Sequence, residues 1–319
     1  MSGMAYAGKH ASIDIGTNST LLLVAGRTSD NRLEPIVQYQ RTTRLGRDLQ
    51  RTGEITSEAV YRTCEVLAEY RKILESKGVD SVSVCGTAVF RDAVNGDEAL
   101  QKIAKASGYT VHALSGEEEA RLSFAAACQG LAIEEGPVLL ADIGGGSTEC
   151  ILGQEGRVTR TRSFPLGAVT LTDKFRIRDR VAPDNYQALQ DHIADVMSAG
   201  MQDLPQPVTL VGVAGTVTTL ATIDLYMDDY DPEQVHGHRL NRESLAAIQA
   251  YLQRLPLAER MEVTGLYRDR ADIIMAGLAV LQYIMSAGKF DSILVSDRGL
   301  RYGMILQELG LITPCYPDA

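Results

Sequence analysis

Ser12-Ile13-Asp14-Ile15-Gly16-Thr17-Asn18-Ser19-Thr20, running on into Leu21-Leu22-Leu23-Val24, returns later in the chain as Ala141-Asp142-Ile143-Gly144-Gly145-Gly146-Ser147-Thr148-Glu149, running on into Cys150-Ile151-Leu152. Each copy reads strand, tight turn, strand, because β-prone residues flank a Gly/Ser/Thr/Asn cluster able to adopt unusual backbone angles. A motif repeated whole, with an aspartate just before each turn, implies two homologous domains. Around the repeat, strands alternate with helices in both halves, the pattern of α/β layers. The spacing of Val60, Cys64, Leu67 and Leu74 predicts a helix that opens at Thr56-Ser57 and stops at Gly78. A strand at Ser81–Cys85 feeds a helix from about Thr87, and Ser115–Gln129 forms another. The second half holds strands near Val158–Phe164, Val208–Val213 and Ser292–Val295, with helices near Asn185–Ser198, Ser244–Leu252 and Ala271–Ser286. The domains are expected at 1–125 and 126–319, with Glu134-Glu135-Gly136-Pro137 as the turn into the second and the last helix free to pack back on the first. No long linker separates them, so a cleft between two closely packed halves is expected.

The chain of 319 residues is 45% hydrophobic and 23% charged, which excludes disordered and fibrous classes. Its net charge of −10 supplies no global positive field for nucleic acid or an anionic membrane. The five cysteines, Cys64, Cys85, Cys128, Cys150 and Cys315, are scattered and never arranged CxxC, which argues against a disulfide framework or a zinc site. With no targeting or membrane-spanning pattern, a cytoplasmic protein is expected.

The chemistry gathers at four places. Both turns, Gly16-Thr17-Asn18-Ser19 and Gly144-Gly145-Gly146-Ser147-Thr148, offer consecutive small residues whose backbone N–H groups can form anion-binding nests suited to phosphate. Asp14 and Asp142 hold equivalent places before the turns and Glu149 begins the strand after the second, so they are candidate Mg²⁺ ligands. Turn aspartates also make local backbone hydrogen bonds, an alternative that explains one aspartate better than two in register. In Ser115-Gly116-Glu117-Glu118-Glu119, Ser115 and Glu118 match a capping box and Glu117 complements the helix dipole. Glu119 lacks such a task and is the candidate general base, although first helical turns are rich in acids for structural reasons alone. Arg91, read as lying in the first turn of the helix after Cys85, has no dipole rationale there and is a candidate phosphate contact. The runs Arg41, Arg44, Arg47, Arg51 and Lys174, Arg176, Arg178, Arg180 read first as solvated faces. His236 and His238 lack a nearby third metal ligand, Gly215-Thr216 is expected to cap a helix, and Cys85 and Cys128 read as core.

With these residues the sequence resembles the exopolyphosphatase / guanosine pentaphosphate phosphohydrolase (Ppx/GppA) family. The resemblance is carried by Asp14–Ser19, Thr43-Arg44-Leu45-Gly46, Arg91–Asn95, Ser115–Arg121, Asp142–Glu149, Leu166-Gly167-Ala168-Val169, Ala214-Gly215-Thr216, His236-Gly237-His238 and Asp297–Gly303. It implies two duplicated ribonuclease H-like domains of the actin, sugar kinase and Hsp70 superfamily with an interdomain cleft. It also implies Glu119 as the catalytic glutamate, Gly16–Ser19 and Gly144–Thr148 as phosphate loops, Arg91 as a phosphate arginine, and Asp142 and Glu149 as metal carboxylates. Activity would then be Mg²⁺- or Mn²⁺-dependent release of terminal orthophosphate from inorganic polyphosphate, or conversion of pppGpp to ppGpp, by a homodimer. Two departures, Thr170 where many relatives carry Arg and Tyr302 where they carry Glu, bear on chain-length preference, and the chain looks like the short, two-domain form. An ATP-dependent kinase of the same superfamily and a non-catalytic polyphosphate or alarmone sensor are the alternative readings.

Overall fold

The computed structural model describes residues 6–29, 33–133, 135–202 and 208–312, which leaves Glu134 and Cys315 outside the described residues. The chain divides into two compact units, one running to Ala126 and resuming at Leu300, the other spanning Ala127–Gly299.

The first unit holds β1 (Lys9–Ile15), β2 (Ser19–Arg27), β3 (Leu33–Thr42), β4 (Ser81–Gly86) and β5 (Val111–Ala113) in the order β3-β2-β1-β4-β5. The first three strands pair antiparallel, and β4 and β5 join parallel to β1 through helical crossovers. The second unit holds β6 (Val138–Ile143), β7 (Thr148–Gln154), β8 (Arg157–Phe164), β9 (Thr209–Val213), β10 (Arg239–Asn241) and β11 (Ser292–Val295) in the order β10-β11-β9-β6-β7-β8. With the edge strand β10 set aside, both sheets have the same topology. An antiparallel three-strand meander is followed by two strands added in parallel on the far side of its first strand, the ribonuclease H-like arrangement implied by the resemblance.

Alternation along β2 builds two cores at once, since neighbouring strand residues point to opposite faces. Leu22 and Val24 bury against Leu67, Tyr70 and Ile103, whereas Leu23 and Ala25 bury against Tyr302, Ile305 and Leu306 of the helix Leu300–Glu308. That helix therefore completes the first unit although it ends the described chain. Tyr302 is part of this core, with its hydroxyl 3.4 Å from Gln38 Nε2. The helix Ser57–Lys77 begins at Thr56, whose side chain accepts the Ala59 N–H, and ends at Gly78 with φ 59°, the left-handed conformation that favours glycine. No helix among the described residues is long and apolar enough to cross a membrane.

Candidate active site

The two repeated turns close identically. Gly16 N–H donates to Ser19 O at 3.0 Å and Gly144 N–H donates to Ser147 O at 3.0 Å. In the first unit the turn's carbonyls are taken from outside: Thr17 O accepts Gly46 N–H at 2.9 Å and Asn18 O accepts Arg44 N–H at 2.8 Å. In the second, Gly144 O accepts Ala168 N–H at 2.9 Å and Gly145 O accepts Val169 N–H at 2.9 Å. Across a trans peptide the C=O and the following N–H point in opposite directions. The N–H groups of Asn18 and Ser19, and of Gly145 and Gly146, are thus aimed away from those bracing segments, two in succession in each copy, the donors an anion-binding turn would use. The bracing demands glycine, because a Cβ on Gly46 would lie 2.3 Å from Thr17 Cγ2 and one on Gly167 would lie 2.2 Å from Gly145 O. Thr170 braces the same turn without charge, its hydroxyl accepting Gly167 N–H at 3.1 Å and lying 3.4 Å from Gly146 O.

Asp14 is the penultimate residue of β1, in register with Cys85 of β4. Its Oδ1 is buried without a hydrogen-bond partner. Burial pushes its pKa up to about 6, against the opposing pull of the Arg301 guanidinium. Burial also pushes the Cys85 thiol up, and the charges of Asp14 and Glu119 act in the same direction, so both carboxylates lie in its surroundings. A carboxyl pKa raised in the folded state means that the native protein binds more protons than the unfolded chain between about pH 4 and pH 6. The stability Asp14 allows is therefore full below its unfolded value and is lost as pH rises through about 6. Asp14→Asn is expected to raise thermal stability at pH 8, by on the order of 2–3 kcal/mol, and to leave it unchanged at pH 4. Melting curves at the two pH values check this, and equal shifts at both would show that Asp14 is not the group responsible.

Arg91 is not where the sequence reading put it. Its helix is only Ala88–Asp92, and a second helix, Gly96–Ser107, follows separately, so Arg91 is the penultimate residue of a short helix and the dipole argument does not apply. Phe90 O would lie 1.9 Å from a Cβ on Gly96, which shows how sharply the chain turns between the two. What marks Arg91 is its partners: Nη1 donates to Leu114 O at 2.6 Å and to Glu119 Oε2 at 3.0 Å. The capping box is as expected, with the Glu118 carboxylate taking Ser115 N–H at 2.8 Å and Glu118 N–H returning to Ser115 Oγ at 3.2 Å. Glu119, expected to have no structural partner, is ion-paired with Arg91, and its side chain is 15% exposed.

In the second unit Asp142 on β6 stands directly opposite Glu149 on β7, where the first unit sets Leu21 opposite Asp14. Glu149 is buried and accepts a hydrogen bond from Ser163 Oγ at 2.8 Å. Two carboxylates facing across an antiparallel pair repel each other, an arrangement a divalent cation relieves. Among the described residues no group of three or more His, Cys, Asp or Glu is gathered to hold a metal. Mg²⁺ needs only one or two protein carboxylates, and the opposed pair and the orphaned Asp14 oxygen both fit such an ion.

The sequence reading missed Arg270. Its guanidinium occupies the space a Gly215 side chain would need, with Cζ 1.9 Å from the Cβ position, in the first turn of the helix Ala214–Asp224. Gly215 and Thr216 lie inside that first turn; the cap position is Val213, and Ala214 is held at φ 66°, a strained value for a residue with a Cβ. The histidines serve separate partners: His238 Nε2 lies 2.8 Å from Asp224 Oδ2, and His236 Nδ1 faces the Asp297 N–H at 3.4 Å. Burial and the Arg298 charge hold His236 down at about 4, hence neutral. Arg178, read as part of a solvated run, instead bridges Asp173 and the buried Asp272. Cys85 is buried as expected, but Cys128 is only half-buried.

A family model described as the Ppx/GppA phosphatase family matches residues 23–311. A putative exopolyphosphatase of Haemophilus influenzae is 30% identical over 298 residues, covering 92% of this chain and 90% of that protein. A bifunctional 3-dehydroquinate synthase/phosphatase of Fusobacterium nucleatum is 29% identical over 309 residues, covering 93% of this chain, which spans only 46% of that longer protein. The crystal structure of the Aquifex aeolicus member of the Ppx/GppA family superposes with a TM-score of 0.80 at 30% identity, over 95% of this chain and 98% of that one.

Proposed function

The chain belongs to the Ppx/GppA phosphatase family, and on that premise we propose that it is a Mg²⁺-dependent phosphoanhydride hydrolase, releasing terminal orthophosphate from inorganic polyphosphate, from pppGpp, or from both. The observation that carries the reading is the pairing of Glu119 with Arg91 at 3.0 Å, in the same unit as the tightly closed Gly16–Ser19 turn. In this reading the N–H groups of the Gly16–Ser19 turn hold phosphoryl oxygens, and Arg91 of the same unit offsets their charge through its planar fork of donors. Glu119 takes the proton of a water whose oxygen bonds to the terminal phosphorus. The bridging P–O bond breaks, and the shortened chain leaves with the bridging oxygen. Asp14 in the first unit, and Asp142 with Glu149 in the second, are the residues that would hold Mg²⁺, each set within its own unit; when bound, the ion supplies neutralisation of phosphoryl charge. This division of labour suits phosphoryl transfer, in which positioning and electrostatics dominate. A cytoplasmic homodimer belongs to the same reading, from the scattered cysteines and the family resemblance.

The test is orthophosphate release from polyphosphate of defined length and from pppGpp in parallel, with and without Mg²⁺. Metal-dependent release from either supports the hydrolase. Phosphate transfer from ATP to an acceptor would support a kinase instead, and tight binding without release would support a sensor.

A further inference from the structure

Arg91 and Glu119, the two groups the reaction needs most in the first unit, are bound to each other. The phosphate contact and the base thus neutralise one another. An adjacent cation favours the ionised form of a carboxylate, so a base held by a guanidinium is a poor acceptor for a water proton. We infer that the pair is a resting lock, opened by the substrate: a phosphoryl oxygen takes Arg91 from Glu119, and only then is Glu119 ready to act as base. This inference rests on the hydrolase reading above.

Three features make the exchange local. The same Arg91 nitrogen that meets Glu119 also donates to Leu114 O at 2.6 Å, so the guanidinium keeps an anchor while its other contact is traded. A guanidinium carries five N–H donors in a planar fork, enough for the Leu114 carbonyl and a phosphoryl group together. Glu119 itself is fixed through its backbone, with its N–H on Ser115 O at 3.0 Å and the Ser115–Glu118 capping box beside it. Nothing in the helix has to move; the change is confined to which anion the guanidinium faces. Carboxylate and phosphoryl oxygens compete for the same donors, and phosphate, with more charge and more oxygens, is the stronger competitor. The side chains are 29% and 15% exposed, open enough for a ligand to reach and sheltered enough for the pair to matter.

The exchange predicts a coupling that simple repulsion between Glu119 and phosphate does not. Binding of imidodiphosphate, whose P–N–P bridge resists hydrolysis, is measured calorimetrically with Mg²⁺ for wild type, Glu119→Gln, Arg91→Ala and the double variant. Removing the competing carboxylate frees Arg91 in advance, so Glu119→Gln is expected to bind about 5–10-fold more tightly than wild type. In the Arg91→Ala background the same substitution is expected to change affinity less than about 2-fold. Equal tightening in both backgrounds would mean plain repulsion, and no tightening, or no binding by wild type, would mean no competition; each overturns the exchange. Arg91→Gln replaces Arg91→Ala if the latter does not fold. Phosphate release by wild type, measured separately, tells a failed lock from a failed hydrolase reading.

Discussion

Glu119→Gln is expected to lower turnover by about 10²–10⁴-fold while the protein folds normally and binds phosphate chains at least as tightly as wild type. Glutamine preserves the side chain's shape and a hydrogen-bonding oxygen but cannot accept the water proton. The fold should tolerate it, since the helix start is secured by Ser115 and Glu118 rather than by Glu119. Arg91 loses its ionic partner but stays anchored on Leu114 O. The neighbouring glutamates supply the controls. Glu118→Gln should retain near-normal turnover, because glutamine also serves at that place in a capping box, and Glu117→Gln should do the same from its exposed position. Steady-state kinetics of the three variants beside their melting curves decide the matter. Near-normal turnover in Glu119→Gln with loss in either neighbour would reassign the base within the run.

The parts of this molecule that could be read from sequence are those fixed by neighbours in the chain. The two turns announce themselves because a hairpin closed by a Gly N–H on a carbonyl three residues on needs small residues in succession, and both copies supply them. The capping box and the bounds of Ser57–Lys77 were legible for the same reason: Thr56, Gly78, Ser115 and Glu118 act within a few residues of themselves. The helix Ala168–Phe175 was not, and the helix Ala214–Asp224 was foreshadowed only by the expected cap at Gly215-Thr216. Val169, Thr170 and Thr172 in one, and Thr216, Val217, Thr218, Thr219 and Thr222 in the other, carry β-branched side chains that favour strands. Most of these residues are buried, so no polar face marks a helical period. Tertiary packing decided their conformation. The dipole rationale for Arg91 falls because its helix ends at Asp92, before the next helix opens at Gly96. Its real significance lies in a contact with Glu119, across 28 residues of chain, and spacing could not show that. Arg270 escaped for the same reason, since its place over Gly215 is set by folding and not by any local pattern.

On the proposal that Asp142 and Glu149 hold Mg²⁺, excess chelator is expected to abolish phosphate release, and Glu149→Gln to reduce it more than about 100-fold. Asp142 and Glu149 face each other across β6 and β7, and Glu149 is almost fully buried. The first unit shows that the hairpin does not need this feature, since Leu21 stands there opposite Asp14 and the strands pair in the same register. The second carboxylate is therefore not required for the hairpin's register, and it fits a divalent ion. Removing it should relieve the repulsion, so metal-free Glu149→Gln should melt no lower than metal-free wild type. The metal response should disappear with it. A ligand that binds only the folded state at 100 times its Kd stabilises by about 2.7 kcal/mol, so saturating Mg²⁺ should raise the melting temperature of wild type measurably and that of Glu149→Gln hardly at all. Full activity in chelator, or an equal Mg²⁺ shift in the variant, would show that these carboxylates serve the hairpin alone.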